Sequence, residues 1–219
     1  MPTPSVVDLS HWNTITDWTA LAKSGIVGVI HKVTESTNYV DPTYAPRRQQ
    51  ALAAGLVWGG YHFLRPGDPV AQAKFFLANA KPDSHMLLAA DHEDSGVSLD
   101  NLKLFLRTIT DAVDQVPVVY SGHLIKSQVK GAADTEMAAY RLWLAQYTQA
   151  SPSWPTATWP EWWLWQYTDT GQIAGISGNA DLNAYQSDSK QLRAEWSGAP
   201  VAVAVTGGTG LASFFGMTG

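Results

Sequence analysis

The chain has 219 residues, 45% hydrophobic and 15% charged, enough for one sizeable core of the size of a single α/β barrel. Fourteen basic and nineteen acidic side chains give a formal net charge of −5, and no dense run of Lys or Arg marks a nucleic-acid surface. The absence of cysteine excludes disulfides and thiolate metal sites.

The N-terminus, MPTPSVVDLSHW, has neither a basic segment nor an apolar stretch, so no signal peptide is expected. Strand-like segments follow at Val6–Asp8, Val27–Lys32, Val57–Phe63, Leu87–Glu93, Val118–Ser121, Leu142–Tyr147, Leu164–Tyr167 and near Asp181–Asn183. Five helical patterns lie between the early ones. They are Asp17–Ser24, with an N-cap-like Asp and a following Gly25; Tyr44–Ala54, ending at Gly55; Val70–Ala80; Leu99–Val113; and a short one at His123–Val129. Strands alternating with helices predict a parallel sheet. The alternation fades after Ser121, and Ser151–Glu161 is too rich in Pro, Ser and Trp for a helix. The expected fold class is therefore α/β, a TIM-like barrel of eight strands with about five regular helices and an irregular second half. The barrel domain is expected over 1–197. The uncharged, Gly/Ala/Val-rich piece 198–219 is expected to be a flexible tail, being interrupted by Gly and Thr where a membrane span would not be.

Chemistry concentrates where strands end. Met86–Asp94 reads MLLAADHED, an apolar run fit for a strand buried on both faces that ends in Asp91-His92-Glu93. Alternation puts Asp91 and Glu93 on one side, and two carboxylates in one small volume push one pKa up. One group then holds a proton near neutral pH while the other is ionised, which equips the pair for general acid catalysis and for glycosidic cleavage in particular. Two residues along a strand advance about 6.6 Å. That spacing does not choose between the roughly 5–5.5 Å of retaining enzymes and the roughly 6.5–9.5 Å of inverting ones, and attack by a substrate N-acetyl group is a third route.

Other strand ends carry Asp8, Lys32, Tyr61, Tyr120, Tyr147, Gln166 and Asp181. Any one of them alone reads more simply as a cap or a solvated side chain; together they mark one end of a barrel as a site. His31, His62 and His92 lie near that end, but no HxH or HxxxH pair appears. They are expected to be hydrogen-bonded wall residues, with no metal and no cofactor. Gly207–Gly210 lacks the Lys and the strand–helix context of a phosphate loop, and no GxSxG elbow occurs. Trp159, Trp162, Trp163 and Trp165 read as core and cleft wall combined.

Eight segments in order resemble the glycoside hydrolase family 25 lysozymes, the N-acetylmuramidases that include many phage endolysins. They are Asp8-Leu-Ser-His-Trp-Asn13, Lys32-Val-Thr-Glu35, Tyr61-His-Phe-Leu-Arg-Pro66, Asp91-His-Glu93, Pro117-Val-Val-Tyr120, Trp143-Leu-Ala-Gln-Tyr147, Trp165-Gln-Tyr167 and Gly175-Ile-Ser-Gly-Asn-Ala-Asp-Leu-Asn183. The resemblance implies an eight-stranded barrel with five regular helices, and hydrolysis of the β-1,4 bond between N-acetylmuramic acid and N-acetylglucosamine in bacterial peptidoglycan. It implies Glu93 as the general acid and Asp91 as the group that orients the N-acetyl group or a water. Asp8 and Asp181 line the same subsite, and Tyr61 and Tyr120 match aromatic cleft residues. Lys32, Tyr147 and Gln166 complete the expected substrate contacts. One departure is Ser36, where the family usually has Gly, which puts the following loop in question. A monomer acting on peptidoglycan is expected, without nucleic acid or membrane. In a phage or prophage context it would accumulate in the host cytoplasm before release to the wall. The alternatives are a non-catalytic peptidoglycan-binding barrel of a phage particle, for which crowded carboxylates have no use, and a chitinase-like hydrolase, which also carries a DxE on a barrel strand.

Overall fold

The structure, a computed structural model, describes residues 2–148 and 150–197. In chain order the elements are β1 Pro4–Leu9, β2 Thr14–Ile15, α1 Trp18–Lys23, β3 Gly28–Glu35, β4 Tyr39–Val40, α2 Tyr44–Ala53, β5 Val57–Phe63, α3 Pro69–Ala80, β6 Leu87–Asp91, α4 Leu99–Val113, β7 Val118–Ser121 and α5 His123–Gln128. They continue with β8 Leu142–Ala145, β9 Leu164–Gly171, β10 Ile176–Ser177, β11 Ala180–Tyr185 and α6 Ser189–Glu195. All eight expected strands and all five expected helices are present, with ends shifted by a few residues. The expected tail, 198–219, lies outside the described residues. Among the described residues no helix is long and apolar enough to cross a membrane.

The sheet runs β1-β11-β9-β8-β7-β6-β5-β3, and β1 also pairs with β3, so eight strands close into a barrel. Six consecutive pairings, from β1–β3 round to β8–β9, are parallel. The last strand corrects the all-parallel expectation, because β11 runs antiparallel to both β9 and β1. The reason is the connection: Gln172–Asn179 holds only the two-residue β10 and no crossover helix, and a parallel neighbour needs a long crossover.

Alternation along the strands divides the apolar residues into two cores. Val6, Ile30, Leu87, Ala89, Val118, Trp143 and Leu164 point into the barrel. Val7, Leu9, Val29, Leu88, Ala90, Val119 and Leu144 point outward to Phe76, Phe105, Leu106 and Ile109 of α3 and α4. The helices begin where side chains satisfy their free N–H groups: Asp17, Asp68 and Ser98 cap α1, α3 and α4. The sixth helix, α6, is absent from the sequence-based expectation. It closes the bottom of the barrel with Leu192 and Trp196, whose indole Nε1 donates to the Trp58 carbonyl at 2.8 Å. Gly28 makes room for that indole, since a Cβ there would stand 2.4 Å from it. With the bottom filled, the open end is the one where the parallel strands finish.

Candidate active site

A cavity of about 290 Å³ opens at that end, lined by Asp8, Tyr61, Phe63, Asp91, Glu93, Tyr120, Trp143, Tyr147, Gln166, Asp169 and Asp181. Larger hollows exist elsewhere, but size does not decide. The one of about 660 Å³ at the barrel's other end is built on Arg141 and Glu195. There Arg141 donates to the Glu195 carbonyl, and the Glu195 carboxylate accepts from Trp163 and Tyr185, so its charged groups are already engaged.

The carboxyls of the small cavity form two pairs. Asp8 and Asp181 stand directly opposite each other in the antiparallel β1–β11 register. Burial, and then the charge of Asp181, raise the Asp8 pKa well above the ordinary carboxylate range. Asp181 is pushed up to about 6, chiefly by burial, while its hydrogen bond with Asp8 pulls the other way. Asp8 Oδ2 already accepts from Gln166 Nε2 at 2.9 Å and Asn183 Nδ2 at 2.8 Å. A hydrogen bond between the two carboxyls therefore needs a proton held between them.

Asp91 ends β6 and is buried, whereas Glu93 lies two residues beyond the strand, at the exposed rim. The pair still meets, as the alternation argument expects, although the backbone has left the strand by Glu93. Burial raises Asp91 well above its usual range, and the neighbouring Glu93 charge raises it further. Burial of its carboxyl also raises Glu93, opposed by its hydrogen bond with Asp91. Asp91 Oδ1 is buried and has no hydrogen-bond partner. His92, between them, faces the opposite way and bonds Gln128 of α5 at 2.7 Å.

A hydrogen-bond web holds the floor. Tyr120 and Tyr147 both donate to Gln166 Oε1, at 2.8 and 2.7 Å, which turns the amide nitrogen of Gln166 toward Asp8. Trp143 Nε1 donates to Asn183 Oδ1 at 2.6 Å and so aims the amide nitrogen of Asn183 at the same carboxylate oxygen. Tyr61 is raised by burial and by the Asp91 charge, so its phenol stays protonated beside the acids.

Of the nine residues singled out from the sequence, eight line this cavity; Lys32 does not. Its ammonium bonds Glu35 at 2.5 Å and lies 5.0 Å from the centre of the Phe63 ring. From there it still favours ionisation of Asp91. Phe63 and Trp143 also line the cavity, and both sit inside segments that the sequence reading marked without giving them a role. Asp169 was missed altogether. The β9–β11 register slips between Leu182↔Thr168 and Ala180↔Gly171, so counting by twos from Gln166 sends Asp169 to the wrong face. Elsewhere in the wall His31 bonds Thr43 and Arg47, and His62 bonds Thr34 and Gln72.

Residues 7–176 match the family model described as glycosyl hydrolases family 25. The chain belongs to that family. It is 28% identical over 210 residues to Lysozyme M1 of Streptomyces globisporus, an alignment covering 86% of this chain and 69% of that protein. It is 26% identical over 198 residues to the N,O-diacetylmuramidase of Chalaropsis sp, covering 80% and 94%. The bacterial lysozyme from Streptomyces coelicolor superposes with a TM-score of 0.81 at 26% identity, over 91% of this chain and 99% of that one. As a family 25 glycosyl hydrolase, the chain carries the eight-stranded barrel with helices around it that the sequence led us to expect.

Proposed function

We propose that this family 25 protein is a lysozyme that hydrolyses the β-1,4 bond between N-acetylmuramic acid and N-acetylglucosamine in peptidoglycan, with Glu93 as the proton donor. The observation that carries the assignment of roles is the asymmetry of the Asp91–Glu93 pair. Both carboxyls are raised, so the pair as a unit retains a proton where isolated acids would have lost theirs, and an N–H donated to Asp91 favours its ionised form and leaves that proton on Glu93. Glu93 holds the exposed rim, where a bridging glycosidic oxygen is reachable, and Asp91 lies deeper. The buried Asp91 Oδ1 lacks a donor, a condition that costs about 1–3 kcal/mol and that an N-acetyl N–H would relieve.

In this reading the sugar enters with its N-acetyl N–H on Asp91. Glu93 protonates the bridging oxygen as the C1–O bond breaks, and the N-acetyl carbonyl oxygen, held in place by Asp91, closes on C1. Water then adds to C1, reopens the ring and returns a proton to Glu93. Bonds and protons balance, and C1 keeps its configuration. The Asp8–Asp181 pair, with its shared proton and the amides of Gln166 and Asn183, supplies hydrogen-bond partners for the sugar hydroxyls. Tyr61 and Tyr120 form the walls.

The test is mass spectrometry of soluble products from purified peptidoglycan, together with proton NMR of the new anomeric centre. Muropeptides ending in reducing muramic acid, formed with retention and lost by at least about 10²-fold in Glu93→Gln, are expected. Products ending in reducing N-acetylglucosamine would overturn the specificity, inversion would move Asp91 from the N-acetyl group to a water, and wild-type turnover in Glu93→Gln would remove Glu93 from its role.

A further inference from the structure

All ten tryptophans are described, and Trp12 alone is exposed, at 84% of its surface. The loop that presents it is nevertheless firmly tied. Ser10 N–H donates to Asn13 Oδ1 at 2.8 Å, and His11 N–H donates to Asp41 Oδ2 at 2.9 Å. Arg47 reaches the carbonyls on either side of Trp12, Ser10 at 2.7 Å and Asn13 at 2.6 Å. One guanidinium and one buried carboxylate thus fix the backbone on both flanks of the most exposed large apolar side chain among the described residues. The His11 ring, 4.5 Å from the indole and tilted by 40°, backs it. A rigid loop carrying a bare indole is preorganised for a contact, because a flat, stiff ring loses little freedom when something is laid upon it.

Its position says what that contact is. Trp12 follows Asp8, at the cavity floor, by four residues, so their Cα atoms are at most about 14 Å apart. Asn13 Nδ2 donates to the Asn179 carbonyl, two residues before Asp181. The loop that carries the indole is therefore fastened beside the Asp8–Asp181 end of the cavity, within reach of a polymer that extends out of it. The cavity, at about 290 Å³, encloses only a small part of such a polymer. In a β-1,4-linked N-acetylhexosamine chain the ring substituents are equatorial and the ring faces present C–H groups, which pack on aromatic faces.

We propose that Trp12 is a stacking platform for a sugar ring of the glycan strand outside the cleavage pocket. This rests on the glycan-cleaving reading above. Binding energy taken so far from the reacting bond serves to hold long strands in register, so it affects polymers more than short oligomers.

The experiment compares kcat/KM on peptide-stripped glycan strands with kcat/KM on the shortest cleavable tetrasaccharide, for wild type, Trp12→Ala and Trp12→Tyr. The polymer-to-tetrasaccharide ratio is expected to fall about 5–10-fold in Trp12→Ala, a loss appropriate to one aromatic stacking contact, and to recover largely in Trp12→Tyr. Since the side chain is exposed, the fold should survive, which circular dichroism checks. An unchanged ratio overturns the proposal. So does a loss seen only on strands that still carry stem peptides, which would make the peptide the partner. If wild type cleaves neither substrate, the glycan-cleaving reading fails, and intrinsic fluorescence decides the role of Trp12 separately. Stripped strands that quench wild type but not Trp12→Tyr uphold the platform, and equal responses reject it.

Discussion

At the scale of single residues, Ser36 and Asp181 are each held against their own preference. Ser36 has φ +52°, the left-handed region that an L side chain enters at a cost of roughly 1 kcal/mol and that Gly enters freely. Its backbone N–H bonds the Phe63 carbonyl at 3.3 Å, a contact that Gly retains. Ser36→Gly should therefore stabilise the protein by about 0.5–1 kcal/mol, less whatever Gly gains in the unfolded chain, and differential scanning calorimetry would show a higher Tm. A lower Tm would mean that the serine side chain makes a compensating contact. Asp181 is the second case. Its pKa is about 6 in the folded protein against an ordinary 3.8, so the folded state binds more protons than the unfolded state between those values. Stability from this group therefore falls as pH rises through that window, and the deficit is fully present above about pH 6. Asp181→Asn should then stabilise at pH 7.5 by about 1–2 kcal/mol, allowing for screening at the mouth, with the gain vanishing near pH 4. Urea titrations at both pH values check this, and a gain that does not depend on pH would show that charge is not its source. Asp8 and Asp91 were legible in the sequence because each sits at the end of an apolar run, and Asp181 because it falls in the Gly175–Asn183 segment that carries the family resemblance. Asp169 was not, since one extra residue in β9 reverses the face that simple alternation assigns.

Among the elements, α6 contributes more to the barrel than its seven residues suggest. Asp188 caps it, and Leu192 and Trp196, four apart, face the barrel interior. Trp196 is 1% exposed, packs against Gly28 of β3 and bonds the backbone of β5. Trp196→Ala should cost about 3–5 kcal/mol, read as a lower urea midpoint, because the vacated space lies under closed strands that cannot collapse into it. A loss under about 1 kcal/mol would mean that α6 is only peripheral. The cap and the spacing were both in the sequence. Two apolar residues in a polar stretch, however, do not make a helical pattern until it is known what they cover. Strand β11 teaches the same lesson. Its residues were recognised as a strand, but its direction follows from the connection and from the need to pair with β1 and β9 at once.

For the molecule as a whole, every side chain assigned a chemical role lies between Asp8 and Asn183, and the barrel is closed underneath by Trp196. We therefore propose 1–197 as the catalytic unit. A chain ending at Ser197 should fold and release muropeptides from purified peptidoglycan at a rate within about twofold of the full chain, which a reducing-sugar assay measures; insoluble or inactive protein would place the boundary later. Sequence alone determined the strands, five of the six helices, the barrel class and the strand ends that carry acids, because alternation, caps and apolar runs are local properties of the chain. The pairing of those acids was a different matter. Asp8 and Asp181 are 173 positions apart, and only barrel closure puts them in register. Closure also turned Gln166 and Asn183 toward Asp8, left Asp91 Oδ1 without a donor and left Trp12 bare on a fastened loop. Each of these depends on distances between segments remote in sequence, and on burial, which exists only once the barrel has closed.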